Sequence, residues 1–210
     1  MSDPLQATPS PPRSLERRLA AILHADVHGY SRLLSEDEPA TLHTLSGHLQ
    51  LMQTLVRRHG GRPAGSRGDS LLAEFPSVVE AVQCAVEMQQ GLQQRNAALP
   101  AERRVEFRVG LHLGEIVVEG EQLHGEGINI AVRVEGLAVP GGICLSEIVH
   151  EQIKSRLALT YEDLGEQTLK NIAKPVRVYR VVPEPEGLGQ AQLEQKHPPS
   201  PSQGGHKARG

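Results

Sequence analysis

Cysteine is nearly absent from this chain: of 210 residues only Cys84 and Cys144 carry a thiol, far apart and without C-x-x-C spacing. That argues against a disulfide framework and a thiolate-built zinc site, and it leaves both residues as small buried hydrophobes. Long apolar runs are missing as well. No stretch approaches the roughly 18 residues of a membrane-spanning helix, and the opening MSDPLQATPSPPRS has no apolar block of the secretory type, so a cytoplasmic chain without a membrane partner is expected. An excess of positive charge is lacking too. The 22 Lys and Arg residues face 25 Asp and Glu, for a formal net charge of -3. The short basic clusters Arg17-Arg18, Arg57-Arg58 and Arg103-Arg104 read as solvated faces, and no nucleic-acid partner is expected.

Both ends are rich in Pro, Ser, Gly and Gln and poor in apolar side chains. Residues 1–16 and 183–210 are therefore expected to be disordered tails around a single domain at 17–182. Inside that domain LAAILHAD reads as a central strand, ended by the turn-like DVHGYS. Pro39 suits the first turn of an amphipathic helix that Gly60-Gly61 stop. Arg62 to Phe75 reads as a hairpin with Asp69 near its tip. Ser77 and Glu80 form a capping box for a second helix. VEFRVGLHL alternates as a half-buried strand, which Gly114 is expected to turn into IVVEG. A short loop then leads to a helix over GINIAVRVEGLAV, a strand ICLS, a helix capped by Ser146, and a last strand VRVYRVV. Hairpins mixed with helices, without strict βαβ alternation, predict an α+β fold with a largely antiparallel sheet.

Four features of this pattern carry possible chemistry. Asp26 ends an apolar strand, and the backbone amides of Gly29, Tyr30 and Ser31 follow at a helix start. Strand-end carboxylates suit magnesium, and such amides suit phosphate, although an aspartate here also serves simply to shape a turn. Gly68-Asp69 is a turn tip that an ordinary hairpin equally explains. If the sheet brings Asp26 and Asp69 together they repel, and a cation is one remedy. Asn129 and Arg133 lie four apart on one helix face, as either a solvent stripe or a phosphate and sugar contact. His24, two residues before Asp26, reads as a packed or supporting side chain, since no HExxH-type spacing accompanies it.

Taken together, LAAILHADVHGYSRL, HGGRPAGSRGDSLLAEF, FRVGLHLGEIVVEGEQLHGEGINIAVRVEGLAVPGGICLS and LKNIAKPVRVYRV resemble the class III adenylate and guanylate cyclase family, especially its bacterial branch. The resemblance covers about residues 16–182. It implies a ferredoxin-like core and a head-to-tail homodimer whose sites lie between subunits. It also implies conversion of ATP, or GTP, to the 3′,5′-cyclic nucleotide and pyrophosphate. Asp26 and Asp69, with the backbone carbonyl of Val27, match the ligands of two Mg2+ or Mn2+ ions per site. Asn129 and Arg133 match the partner-chain residues at the ribose and phosphates, and Lys170 or Lys174 matches a phosphate-touching lysine. Where adenylate cyclases of this branch place a base-reading lysine and aspartate, this chain has Gly65 and Gln122, which match neither the adenine nor the guanine pattern. A relaxed choice of base is the expectation. The competing reading is a cyclase-like regulatory module with little turnover.

Overall fold

The computed structural model describes residues 16–64, 68–120 and 122–182. The elements run β1 (Glu16–Val27), α1 (Tyr30–Arg58), β2 (Arg62–Pro63), β3 (Ser70–Phe75), α2 (Val78–Ala97), β4 (Phe107–Glu119), β5 (Gln122–His124), α3 (Glu126–Glu135), β6 (Ile143–Ser146), α4 (Glu147–Ile153), β7 (Thr160–Gln167) and β8 (Val176–Val182). The strands form one sheet of order β2-β3-β1-β4-β6-β8-β7, with β5 paired to the end of β4. Every pairing is antiparallel except β4 with β6. This is the expected α+β class.

The period-2 pleat sorts side chains to two different faces. On one, Ala21, Leu23, Ala25 and Val27 of β1 join Phe107, Val109 and Leu111 of β4 and the buried sides of α1, α2 and α4 in a single apolar core. On the other, Ala20 and Ile22 pack with Ile116, Leu123 and Ala131 in a smaller cluster at α3. Helix α3 comes very close to the sheet because position 110 is glycine: a Cβ there would stand 2.3 Å from the backbone N of Glu135 and 2.4 Å from the carbonyl O of Ala131. No helix among the described residues is long and apolar enough to cross a membrane.

Several local expectations are corrected. Gly114 makes no turn; β4 runs straight through it, and the chain reverses instead at Gly120, where φ is 63°. The glycine is small for packing, since a Cβ would lie 3.2 Å from the Cα of Gly127 on α3. The loop expected before α3 contains β5. Ser146 does precede α4, but its hydroxyl makes no cap hydrogen bond and meets Nδ1 of His112 at 2.9 Å. The capping box is half formed: Ser77 Oγ accepts from the Glu80 amide at 3.3 Å, while the Glu80 carboxylate reaches His59 Nδ1 at 3.0 Å. Pro39 does sit in a helical first turn, because α1 breaks at Asp37 (φ -157°, ψ 87°), whose carboxylate accepts from the Ala40 amide at 3.2 Å. A shorter helical segment precedes the break. Glu16, expected in the N-terminal tail, is the first residue of β1 and pairs with Val118. The remaining tail residues lie outside the described residues.

Candidate active site

The antiparallel register places Asp26 of β1 opposite Ser70 of β3, and Asp69 immediately precedes Ser70. The hairpin therefore delivers the second carboxylate to the end of the strand that carries the first. Their proximity is visible in the electrostatics. Burial, then the charge of Asp69, then that of Glu135 hold the Asp26 carboxyl above the usual carboxylate range, against the opposing pull of His24 and Arg108. The Asp26 side chain is 30% exposed, so it remains open to an incoming ligand.

Hard oxygen donors that repel one another suit a magnesium or manganese ion, which usually completes its shell with water and substrate phosphate rather than with a protein cage. Among the described residues no group of three or more His, Cys, Asp or Glu side chains gathers into such a cage. The pair Asp26 and Asp69 fits the sparser pattern. Val27 ends β1 opposite Phe107, beside the pair. Gly29 caps α1 in the left-handed region (φ 68°), and its carbonyl accepts from the Arg32 and Leu33 amides. Tyr30 and Ser31 thus occupy the first helical turn, where backbone amides have no intrahelical acceptor.

The other predicted residues fall elsewhere. Asn129 and Arg133 are both exposed on α3, and Arg133 forms no ion pair among the described residues. Gln122 is exposed at the start of β5, paired with Glu119 at the far end of β4. Lys170 and Lys174 are exposed in the connection between β7 and β8. Because β8 pairs Val178 with Ser146, and β4 aligns Leu111 with Leu145, that connection lies at the end of the sheet away from Asp26. Within one chain, then, Gln122 and the lysines stand at the opposite end from the aspartates. Gly65 lies outside the described residues.

Two charged residues went unnoticed in the sequence. Arg108 lies directly across β4 from Asp26, with Nη2 3.7 Å from Oδ2. Glu135, on α3, is buried and stands 2.8 Å from Arg108 and 3.6 Å from His24. The available signal was a carboxylate falling among the inward positions Ala131 and Val134 of an amphipathic helix. His24 is packed beside Glu135.

Residues 16–182 match the family model described as "Adenylate and Guanylate cyclase catalytic domain". The chain belongs to that family. The chain is 41% identical over 188 residues to "Putative adenylate cyclase 3" of Rhizobium meliloti (strain 1021), a match that takes in 89% of this chain and 32% of that relative. The chain thus spans about a third of that curated relative. Among solved structures, an "Adenylate/Guanylate Cyclase/Hydrolase" from Silicibacter pomeroyi is 39% identical with a TM-score of 0.76, covering 81% of this chain and 100% of its own. The adenylyl cyclase CyaB of P. aeruginosa shares the fold at 24% identity and a TM-score of 0.70, covering 84% of this chain and 100% of its own. A cyclase domain of this family is thereby established, while the family description embraces both purine bases.

Proposed function

We propose that the chain converts ATP to 3′,5′-cyclic AMP and pyrophosphate, with relaxed choice between ATP and GTP, at sites completed by two copies of the chain. The observation that carries this reading is the separation just described. Asp26 and Asp69 meet at one end of the sheet, Gln122, Lys170 and Lys174 sit at the other, and Asn129 and Arg133 face outwards without an ion-pair or hydrogen-bond partner for their side chains among the described residues. A second copy running the opposite way would bring the complementary set to the aspartates.

In this reading Asp26, Asp69 and the Val27 carbonyl hold two Mg2+ or Mn2+ ions. When bound, these supply Lewis acidity at the ribose 3′ hydroxyl and neutralise charge on the phosphates. The amides of Gly29, Tyr30 and Ser31 cradle phosphate oxygens at the start of α1. From the partner copy, the Arg133 fork takes up charge growing on the α-phosphate as the 3′ oxygen attacks and pyrophosphate departs. Asn129 orients the ribose, and Lys170 or Lys174 meets the departing phosphates. Two mixed variants test the shared site. Asp26→Asn and Arg133→Ala chains, each inactive alone, should regain part of the activity on mixing, since one site of a mixed pair keeps every wild-type group. No recovery despite demonstrated subunit exchange refutes it.

The base preference follows from what stands at the two departing positions. Gly65 offers no side chain, and the Gln122 amide presents either an acceptor or a donor, so neither adenine nor guanine leaves it unpaired. ATP should exceed GTP in kcat/KM by less than about 100-fold, where a fixed polar pair reaches on the order of 10⁴. Gly65→Lys with Gln122→Asp should widen the gap; strong wild-type selectivity that the double change leaves untouched would contradict the reading.

A further inference from the structure

Between α3 and the metal-side end of β1 lies one guanidinium shared by two carboxylates. Arg108 Nε stands 2.8 Å from Glu135 Oε1, and Arg108 Nη2 stands 3.7 Å from Asp26 Oδ2. Glu135 is 3% exposed, held at the sheet by the close approach over Gly110, and its second oxygen lies 3.6 Å from His24 Nδ1. Although the Arg108–Glu135 distance is that of an ion pair, Arg108 Nε, Glu135 Oε1 and His24 Nδ1 are all buried without an aligned hydrogen bond. The guanidinium therefore lies nearer to Glu135, at ion-pair distance though without an aligned hydrogen bond, and stands further from Asp26.

A single guanidinium so placed cannot serve both partners fully. Whatever draws it towards one carboxylate leaves more negative charge on the other, because at separations of about 3–4 Å between partly buried groups small displacements change the interaction. Glu135 is the more buried partner, and it is fixed to the backbone of α3. We propose that Glu135 is a positioning residue that holds Arg108 back from Asp26, so that Asp26 keeps its oxygens available to a divalent cation. Arg108 is then a competitor for the metal position, and Glu135 restrains it. The same helix presents Asn129 and Arg133 on its outer side, so the docking of α3 and the readiness of Asp26 depend on one buried carboxylate.

The inference rests on Asp26 as a metal ligand, and the experiment separates the two. Mn2+ is titrated into the full chain and followed through the electron paramagnetic resonance signal of the free ion, for wild type, Asp26→Asn, Glu135→Gln, Arg108→Gln and the double variant Glu135→Gln/Arg108→Gln, with a thermal melt of each. Asp26→Asn should weaken binding; if it does not, the metal reading itself fails. With that control in place, Glu135→Gln should weaken Mn2+ binding about 10-fold, because the released guanidinium moves onto Asp26. Arg108→Gln alone should stay within about threefold of wild type, since Arg108 is already held back, and the double variant should return to that range. A double variant as weak as Glu135→Gln overturns the proposal. So do equal and opposite shifts in the two single variants, which would mean a general charge effect with no specific restraint. Should Glu135→Gln fail to fold, Glu135→Asp replaces it, with a smaller weakening in the same direction. A purely structural role would lower the melting temperature of both single variants and leave Mn2+ binding unmoved.

Discussion

The two faces of strand β1 are made from alternate residues of a single segment, yet they differ in almost every physical respect. The face of Ala21, Leu23, Ala25 and Val27 is covered by three helices and holds no charge of its own. The face of Ile22, His24 and Asp26 is covered by one helix, and towards its end the apolar side chains give way to Asp26, Arg108, His24 and Glu135. A sheet covered on both sides by apolar helices would bury no usable carboxylate, because burial without compensation drives such a group to its neutral form. The half-covered face tolerates charge, and the fully covered face secures the strand that carries it.

One substitution at the carboxylate end and one in the apolar core should separate these duties. Asp69→Asn should lower cyclase activity by on the order of 10²-fold or more while leaving the melting temperature nearly unchanged, as removal of a principal electrostatic group does. Full activity in both Mg2+ and Mn2+ would dismiss the metal role. Leu23→Ala should do the reverse: the side chain is completely buried in the apolar core, so about 2–5 kcal/mol of stability should go, while the specific activity of the folded fraction persists.

Acid should weaken both faces together. His48, on the α1 side near Phe107, is pushed down to about 4, by burial first and then by Arg95. His112, on the α3 side, is likewise lowered to about 4 by burial. Each is neutral when folded and accepts a proton near 6.5 when unfolded. The stability each contributes is complete above pH 6.5 and is lost as pH falls towards 4, by on the order of 3 kcal/mol at most per residue. Urea unfolding at pH 7, 5.5 and 4.5 reads this slope, and His48→Gln or His112→Asn should each flatten part of it. A flat profile in wild type would mean that neither imidazole is excluded from water. The smallest effect belongs to an exposed ion pair at the sheet edge, Asp163 with Arg177. Arg177→Ala should shift the thermal midpoint no more than repeat measurements scatter, because solvent screens such pairs.

The same asymmetry explains what could be read from the sequence. Asp26 was legible because an apolar strand ended in a carboxylate, and Asp69 because a glycine-aspartate turn joined two strand patterns. The spacing of Asn129 and Arg133 announced a common helical face. Arg108 and Glu135 were hidden, since a charge within an alternating strand or an amphipathic helix reads as solvent-facing until the neighbour across the sheet is known. Strand β7 was missed for a related reason: TYEDLGEQ is an edge strand with no buried residue, so it lacks the apolar alternation that marks a strand. Gly114 looked like a turn because a glycine's φ freedom and its lack of volume leave the same letter in a sequence. Only the approach of Gly127 distinguishes them.

The register of β1 also bears on how long each part of the site endures. The strand shares twelve paired positions with β4 and six with β3, which places its amides among those expected to exchange with solvent only when the whole domain opens. Asp69 stands at a hairpin tip, and Lys170 and Lys174 in an exposed connection, where opening is local and frequent. Asp26 is thus carried on a strand paired on both sides, and Asp69, Lys170 and Lys174 on less protected segments. If the proposed site forms, one carboxylate would stand on paired strand while the groups that complete it would come from less protected segments.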